Sequence, residues 1–553
     1  DVAGWIPSAE EIDAYLAEPA ETRRASAVDR LLADPAWADH WVGYWQHVLA
    51  ENPGLTKPTL NNSGPFRWYL HESFLDNKPY DRMVTELVRM ESGRRSGGPA
   101  GFAVATNNDV PMAHKAHVVS TAFLGVEMKC ARCHDAPSHA STQRELFNVA
   151  AMLARKPIKL PKSSSVPASP EQLARMAITV SLKPGEAIQP EWPFDDFSAS
   201  ADSAAEERFL RNPDNSRARI AWQLTRPGNE RFAQDAVNRV WARYLGRGLV
   251  EPVHDWEGTS PSHPELLRFL AAEFVRSNYD LKSLARMILT SQVYQRAHVS
   301  VELRDSMQAV FAAATRRRMQ AEQVADSIYR AAGKPFDTEE MCVNPDGRQA
   351  AATFSNLGTP RRAWEFASTS NERERPSMSL PRAQGVVDLM MAFGWRQSRQ
   401  EPVNYRENDL TPLSPLALAN GAAVNRAVDL ADHAEVVEIC LEDQPVEALV
   451  NRLFVRYLSR SPIVDEQERY VELLSVGYEV RKTGLPARER KIDRSPLAWS
   501  NNLDPEANQI GELRQRRALD GDPPTRRLKP EWRKRVEDML WVLVNSPEFL
   551  HIP

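Results

Sequence analysis

Cysteine is scarce: there are 4 in 553 residues. Only one Cys-x-x-Cys pair exists, which excludes a structural zinc site built from four closely paired cysteines. Cys342 and Cys440 stand alone, and the spacing leaves open whether they form a long-range disulfide or two buried thiols. No apolar run approaches the roughly 20 residues that a bilayer-spanning helix needs, so the chain reads as not membrane-spanning. No sign of charge dominates. The net charge is −5 and the pI about 6.2, which gives no footing for a general nucleic-acid or membrane-surface binder. Tandem repeats and long low-complexity tracts are also missing. The first residue is Asp1 rather than methionine, and no signal peptide precedes it, as expected of a processed mature form or a trimmed chain.

What remains is the composition of an ordinary globular protein, 42% apolar and 26% charged, long enough for two or more domains with substantial cores. The expected fold is mainly α, with two packed helical domains and a small β excursion between them. Helices are expected from Ser8, which opens a capping box with Glu11, at Arg23–Leu32, and over the stripe Trp37, Trp41, Trp45 and Val48, whose spacing marks a core face. A second face of that helix aligns His40, Tyr44 and His47. Phe66–Leu75 and Tyr80–Met90 follow, then a basic glycine loop at Arg94–Gly101. One helix is expected from His114 to Lys129 and another at Gln143–Leu153. The first domain then covers residues 1–155.

Residues 156–205 read as a linker (Lys, Pro and Ser over 156–169), with a strand at Ile178–Leu182. Residues 206–553 form the second domain, with helices at Ser216–Leu224, Gln234–Tyr244, His263–Ser277 (capping box Ser262–Glu265), Asp280–Ser291, Thr315–Ala332, Ser379–Phe393, Pro415–Leu430, Val446–Leu458, Asp465–Val480 and Trp532–Asn545. Arg361, Arg362, Arg373 and Arg375, interspersed with Glu372 and Glu374, read as a salt-bridged solvated loop rather than an anion patch.

The chemistry concentrates in Phe123-Leu-Gly-Val-Glu-Met-Lys-Cys130-Ala-Arg-Cys133-His134-Asp135. Cys-x-x-Cys-His is the spacing that attaches a c-type haem. Two thiols one turn apart reach two vinyl groups on one porphyrin edge, and the next histidine becomes the proximal iron ligand. By composition the pattern is expected roughly 0.001 times in such a chain. Three other readings stand beside it. A thioredoxin-like pair needs a strand before the motif, where a helix is expected. A zinc site would need Asp135 or His139 as further ligands. A plain disulfide or two free thiols is the third.

The same stretch, followed by Gln143-Arg-Glu-Leu-Phe, resembles the planctomycete cytochrome-like proteins. Val237-Asn-Arg-Val-Trp241, Leu245-Gly-Arg-Gly-Leu-Val250, Pro261-Ser-His-Pro-Glu-Leu-Leu267 and Leu281–Ser291 resemble the planctomycete-specific domain of unknown function that forms their second half. The resemblance covers nearly the whole chain. It departs at Ala136-Pro137, where the family continues with His and Lys, and at His47, His114 and His117, where Asp or Asn is expected.

One covalent haem c, held by Cys130, Cys133 and His134, implies an extracytoplasmic (periplasmic or cell-surface) monohaem protein. It would carry out electron transfer or haem-based redox chemistry, with a redox partner protein or a small-molecule oxidant. His263 and His47 are the candidates for a distal iron ligand, followed by His139; Arg132 and Asp135 would tune the site from outside. The resemblance links such proteins to polysaccharide breakdown. The alternatives are therefore a polysaccharide-acting hydrolase or lyase with a structural or regulatory haem, in which His254-Asp255-Trp256-Glu257 and His263 form a sugar site, and a non-catalytic surface assembly protein.

Overall fold

The structure is a computed structural model that describes residues 1–51, 64–91, 98–105, 112–137, 139–160, 169–176, 178–197, 203–297, 307, 310–314, 316–342, 356–366, 379–395, 411–489 and 503–552. It is mainly α. Among the described residues there are twenty-three α-helices and three two-stranded antiparallel sheets.

The tryptophan stripe does what its spacing demands. The helix Ala36–Val48 buries Trp37, Trp41 and Trp45 almost completely. Trp45 lies 5.5 Å from Tyr80 and stacks at 6.3 Å on Phe123, while Trp41 meets Tyr244 edge-on at 6.1 Å. Tyr80 in turn stacks on Phe232 at 5.2 Å. Large rings of this kind carry much of the burial free energy of a core, and two of these, Phe232 and Tyr244, come from beyond residue 206. The first apolar core accordingly runs from Val2 through Phe311 and takes in Trp364. A second core spans Met319 to Phe549. The division between cores thus falls near residues 311–319 rather than at the 156–205 linker, because the apolar faces of the helices Ser216–Thr225 through Leu281–Leu289 close against the N-terminal helices.

Several local expectations give way to tertiary partners. Ile178–Leu182 forms no strand; Thr179, Ser181 and Leu182 bond to Asp135 and Gln143 instead, and the β excursion pairs Ile158–Lys159 with Ala187–Ile188. The helix expected from Thr315 starts at Ala321, since Arg317–Arg318 pair with His551–Ile552 and the Arg317 guanidinium grips the Asp1 carboxylate at 2.6 and 2.7 Å. Ser262 caps nothing: its hydroxyl donates to the Leu249 carbonyl, and His263 takes the position before Pro264. Pro415–Leu430 is two helices broken at Gly421. Gly98–Ala105 is helical, against the loop expected over Arg94–Gly101, of which residues 94–97 lie outside the described residues. Arg373 and Arg375 also lie outside them. Cys440 is a free thiol, buried, and burial pushes it up to about 12.

The cores are tied together by polar groups at the segment Asn356–Phe366. Arg362 is buried between Asp326 (2.8 Å) of the second core's first helix and Asp39 (3.1 Å) of the tryptophan helix. Trp364 donates to the same Asp39 at 2.8 Å. Arg67, itself held by buried Glu51 at 2.6 Å, donates to the carbonyls of Glu365 and Phe366. Breaking a buried pair leaves its partner's charge uncompensated. Arg362→Met is therefore expected to lower unfolding free energy by about 3–5 kcal/mol. In the same urea titrations, Arg286→Met, which breaks an exposed pair with Asp29, should leave the midpoint unchanged.

Candidate functional site

The Cys130–His134 loop is placed by a chain reversal. The helix Ala113–Leu124 is buried along its whole length and stops at Gly125, whose φ of +61° is left-handed. A helix continuing to Lys129 is ruled out by that residue, and by Trp256, whose backbone N–H donates to the Gly125 carbonyl at 2.9 Å. A Cβ at Gly125 would lie 2.4 Å from Trp256 Cδ1, so the contact requires glycine on two counts. Past the turn, the chain runs back along its own helix. The Val126 N–H bonds to the Ser120 carbonyl at 3.2 Å, and the Met128 N–H donates to His117 Nδ1 at 3.3 Å. His117, which a straight helix would carry far from the motif, thus supports Met128, two residues before Cys130.

Cys130–Arg132 then form one tight turn, closed by the N–H groups of Cys133 and His134 on the Cys130 carbonyl at 3.1 and 3.2 Å. Both thiols are free and exposed. His134 Nδ1 donates to the Asp135 carbonyl at 2.8 Å, leaving Nε2 without a hydrogen-bond partner among the described residues. Asp135 is fixed in turn. Its carboxylate accepts from the Gln143 N–H (2.8 Å) and the Ser181 hydroxyl (2.7 Å), and its N–H donates to the Thr179 carbonyl. Gln143 Nε2 donates to the Cys133 carbonyl at 2.7 Å. This clamp rests on the capping box of Thr142 and Glu145, which opens the helix Gln143–Ala154.

The loop 254–257 closes the other side. His139 Nε2 is 2.6 Å from Asp255 Oδ2, and Glu257 accepts from the Ala140 N–H. Trp256 is buried under Gly125, with the Arg231 guanidinium 4.4 Å from its ring. Arg239, paired with buried Asp235 at 2.7 Å, donates to the Thr121 carbonyl of the helix that leads to the motif. With its indole covered and its carboxylates bonded to the motif segment, this loop offers no open saccharide platform.

Burial and neighbouring cations set the histidines. Burial, followed by the charges of His114, Arg132, Lys129 and His254, lowers His117 to about 3, so its 3.4 Å approach to Glu127 is not an ion pair. His254 is lowered by burial and by Arg239. Burial opposes protonation of His139, but the hydrogen bond to Asp255 and the charges of Asp255, Glu257 and Glu127 outweigh it and raise the imidazole. The two sequence-derived distal candidates lie elsewhere in the contact network. His263 is half-buried, bonded to Ser262 at 3.1 Å and 5.6 Å from the Phe311 ring. His47 is buried two residues beyond Trp45, about 200° round the helix from the residue that stacks on Phe123. On that same helix, His40 faces Arg243 Nη2 at 2.9 Å. Among the described residues no three His, Cys, Asp or Glu side chains converge as a metal would require. Asp135 and His139, the extra ligands a zinc site needed, are spent on Gln143, Ser181 and Asp255.

Residues 1–157 match the family model described as PSCyt2, a protein of unknown function (DUF1549). Residues 216–474 match the model described as PSD1, a protein of unknown function (DUF1553). The chain carries both domains. This agrees with the domain pairing implied by the resemblance. No curated protein and no solved structure matches the chain. The loop Cys130–His134 lies in the first domain and its cover, residues 254–257, in the second.

Two predictions follow from this geometry. Gly125→Ala should destabilise by at least ~2 kcal/mol, combining a left-handed alanine with a steric clash. Gly185→Ala, at φ +84° with nothing within 4 Å of the added Cβ, should cost only the backbone share of about 1 kcal/mol. Equal midpoint shifts in denaturant would show that Trp256 does not press on Gly125. The second prediction concerns pH. A histidine whose folded pKa stands above its ordinary 6.5 stabilises while protonated, so its contribution is full below that value and fades as pH rises through the folded pKa. His139→Gln should therefore reduce the loss of stability as pH rises above the ordinary histidine value of 6.5, measured by urea unfolding from pH about 5 to about 9.

Proposed function

We propose that this chain is an extracytoplasmic c-type monohaem protein that carries out electron transfer or haem-based redox chemistry. Cys130 and Cys133 would hold the porphyrin through thioethers, and His134 the iron. The observation that carries the reading is the state of the loop: two free, exposed thiols on one tight turn, followed by a histidine whose Nδ1–H is taken by the Asp135 carbonyl. That hydrogen bond selects the tautomer with its lone pair on Nε2, the form that ligates a metal, and aims the ring from outside the coordination sphere. The residues present therefore fit the group.

Bound haem would supply a one-electron couple. The chain's own residues hold the loop rigid: Gln143 on the Cys133 carbonyl, Thr179 and Ser181 on Asp135, and His117 on the Met128 N–H. Neutral His117 and the apolar residues Phe123, Leu124, Met128 and Ala131, all buried, keep water from the inner side of the turn. Such exclusion tunes a redox centre through its local dielectric. The second domain contributes the cover through Asp255, Trp256 and Glu257.

Protein made in a host with cytochrome maturation should retain haem after denaturation, seen as a peroxidase-active band. The double variant Cys130→Ser/Cys133→Ser should lose the band, and Cys440→Ser should keep it. A denatured wild type without the band, from a host that matures a control cytochrome, would contradict the reading.

A further inference from the structure

A separate cleft of about 480 Å³ opens between the segment Trp5–Glu10 and the helix Ala321–Ala332 with its following loop Gly333–Phe336, and Arg361, Glu435 and Arg456 complete its wall. No residue of the cysteine loop lines it. Its size is that of a small-molecule site rather than of a bare ion.

The cations around it are unequally satisfied. Arg456 donates to the Ala331 and Arg330 carbonyls and pairs with Glu435 at 2.6 Å, so both of those charges are spent. Lys334 is buried and donates to the carbonyls of Arg426 and Asp429. Asp326 is taken by Arg362. Arg330 reaches Glu11 through Nη2 at 2.8 Å and lies 4.2 Å over the Trp5 ring, yet its Nε is buried without an acceptor. Arg361 is exposed, and its guanidinium has no hydrogen-bond partner among the described residues; only its backbone N–H is engaged, by Glu365. Arg361, whose guanidinium donors the protein leaves unused, and Arg330, held over Trp5, stand together on one cleft beside an apolar wall, and such an arrangement suits an acceptor brought by a ligand. Ile6, Pro7, Pro335 and Phe336 supply the apolar part of the wall.

We propose that this cleft binds a small organic anion, an apolar body bearing one carboxylate or phosphate, with Arg361 and Arg330 as its recognition groups. The ligand bridges the N-terminal segment and the second core, which Ile6 already joins through its N–H on Ser327 Oγ at 3.2 Å. Calorimetric titration of the full chain with benzoate, phenyl phosphate and the neutral isostere benzamide tests it. One or both anions should bind about tenfold or more tighter than benzamide, as expected for charge-assisted bonds to a guanidinium. The preferred anion identifies carboxylate or phosphate as the natural group. Arg361→Gln, at an exposed side chain that the fold does not use, should remove that advantage, whereas Arg286→Gln should preserve it. Binding of neither anion, anion affinities equal to that of benzamide, or an undiminished advantage in Arg361→Gln would overturn the proposal.

Discussion

The reversal at Gly125 is the constraint on which the site depends. A left-handed glycine ends the buried helix Ala113–Leu124, and Trp256 of the second domain occupies the space where any side chain would stand. That one contact sends the chain back along its own helix, lets His117 receive the Met128 N–H, and presents Cys130 and Cys133 outward on a tight turn. The loop is therefore not a flexible insertion. It is held on one side by Gln143 of its own domain and by the 179–182 segment that follows that domain, and on the other by residues 254–257. Preorganisation of this sort is what a covalent cofactor site and its proximal histidine require.

The two family domains and the two apolar cores do not coincide. The second domain's first helices complete the tryptophan core, and only from Met319 does a separate core begin. The reason is geometric: rings such as Trp41, Trp45 and Tyr80 find their partners in Tyr244 and Phe232. Burying them needs both halves of the chain, so the loop's cover and the core beneath it are parts of one packing unit. The Arg362–Asp39–Asp326 contact then fixes the second core on the first.

How much of this was legible in the sequence depended on the range of the interaction. Helices with strong three- and four-residue periodicity, such as Val446–Leu458, appear where their patterns put them. So does the capping box at Ser8, because its two partners are three residues apart. Where a partner lay far away in the chain, local pattern misled. The alternation of Ile178–Leu182 suggested a strand, but its backbone partners proved to be Asp135 and Gln143. Ser262 resembled a cap, yet Leu249 claimed its hydroxyl. At the site, the Cys-x-x-Cys-His spacing and the polar loop 254–257 were both readable, whereas the helix expected to run on to Lys129 stops at Gly125. Which face of the second domain would meet the motif was not readable, since Trp256 on Gly125 and Arg239 on Thr121 are contacts across more than a hundred residues.

The account stands or falls on whether Cys130 and Cys133 carry a porphyrin. Mass spectrometry of the proteolytic peptide containing both residues, from protein matured in a cytochrome-competent host, reads this directly. The account predicts that the peptide carries one haem and that neither thiol reacts with an alkylating reagent. A haem-free peptide alkylated at both cysteines, beside a correctly matured control cytochrome, would contradict it.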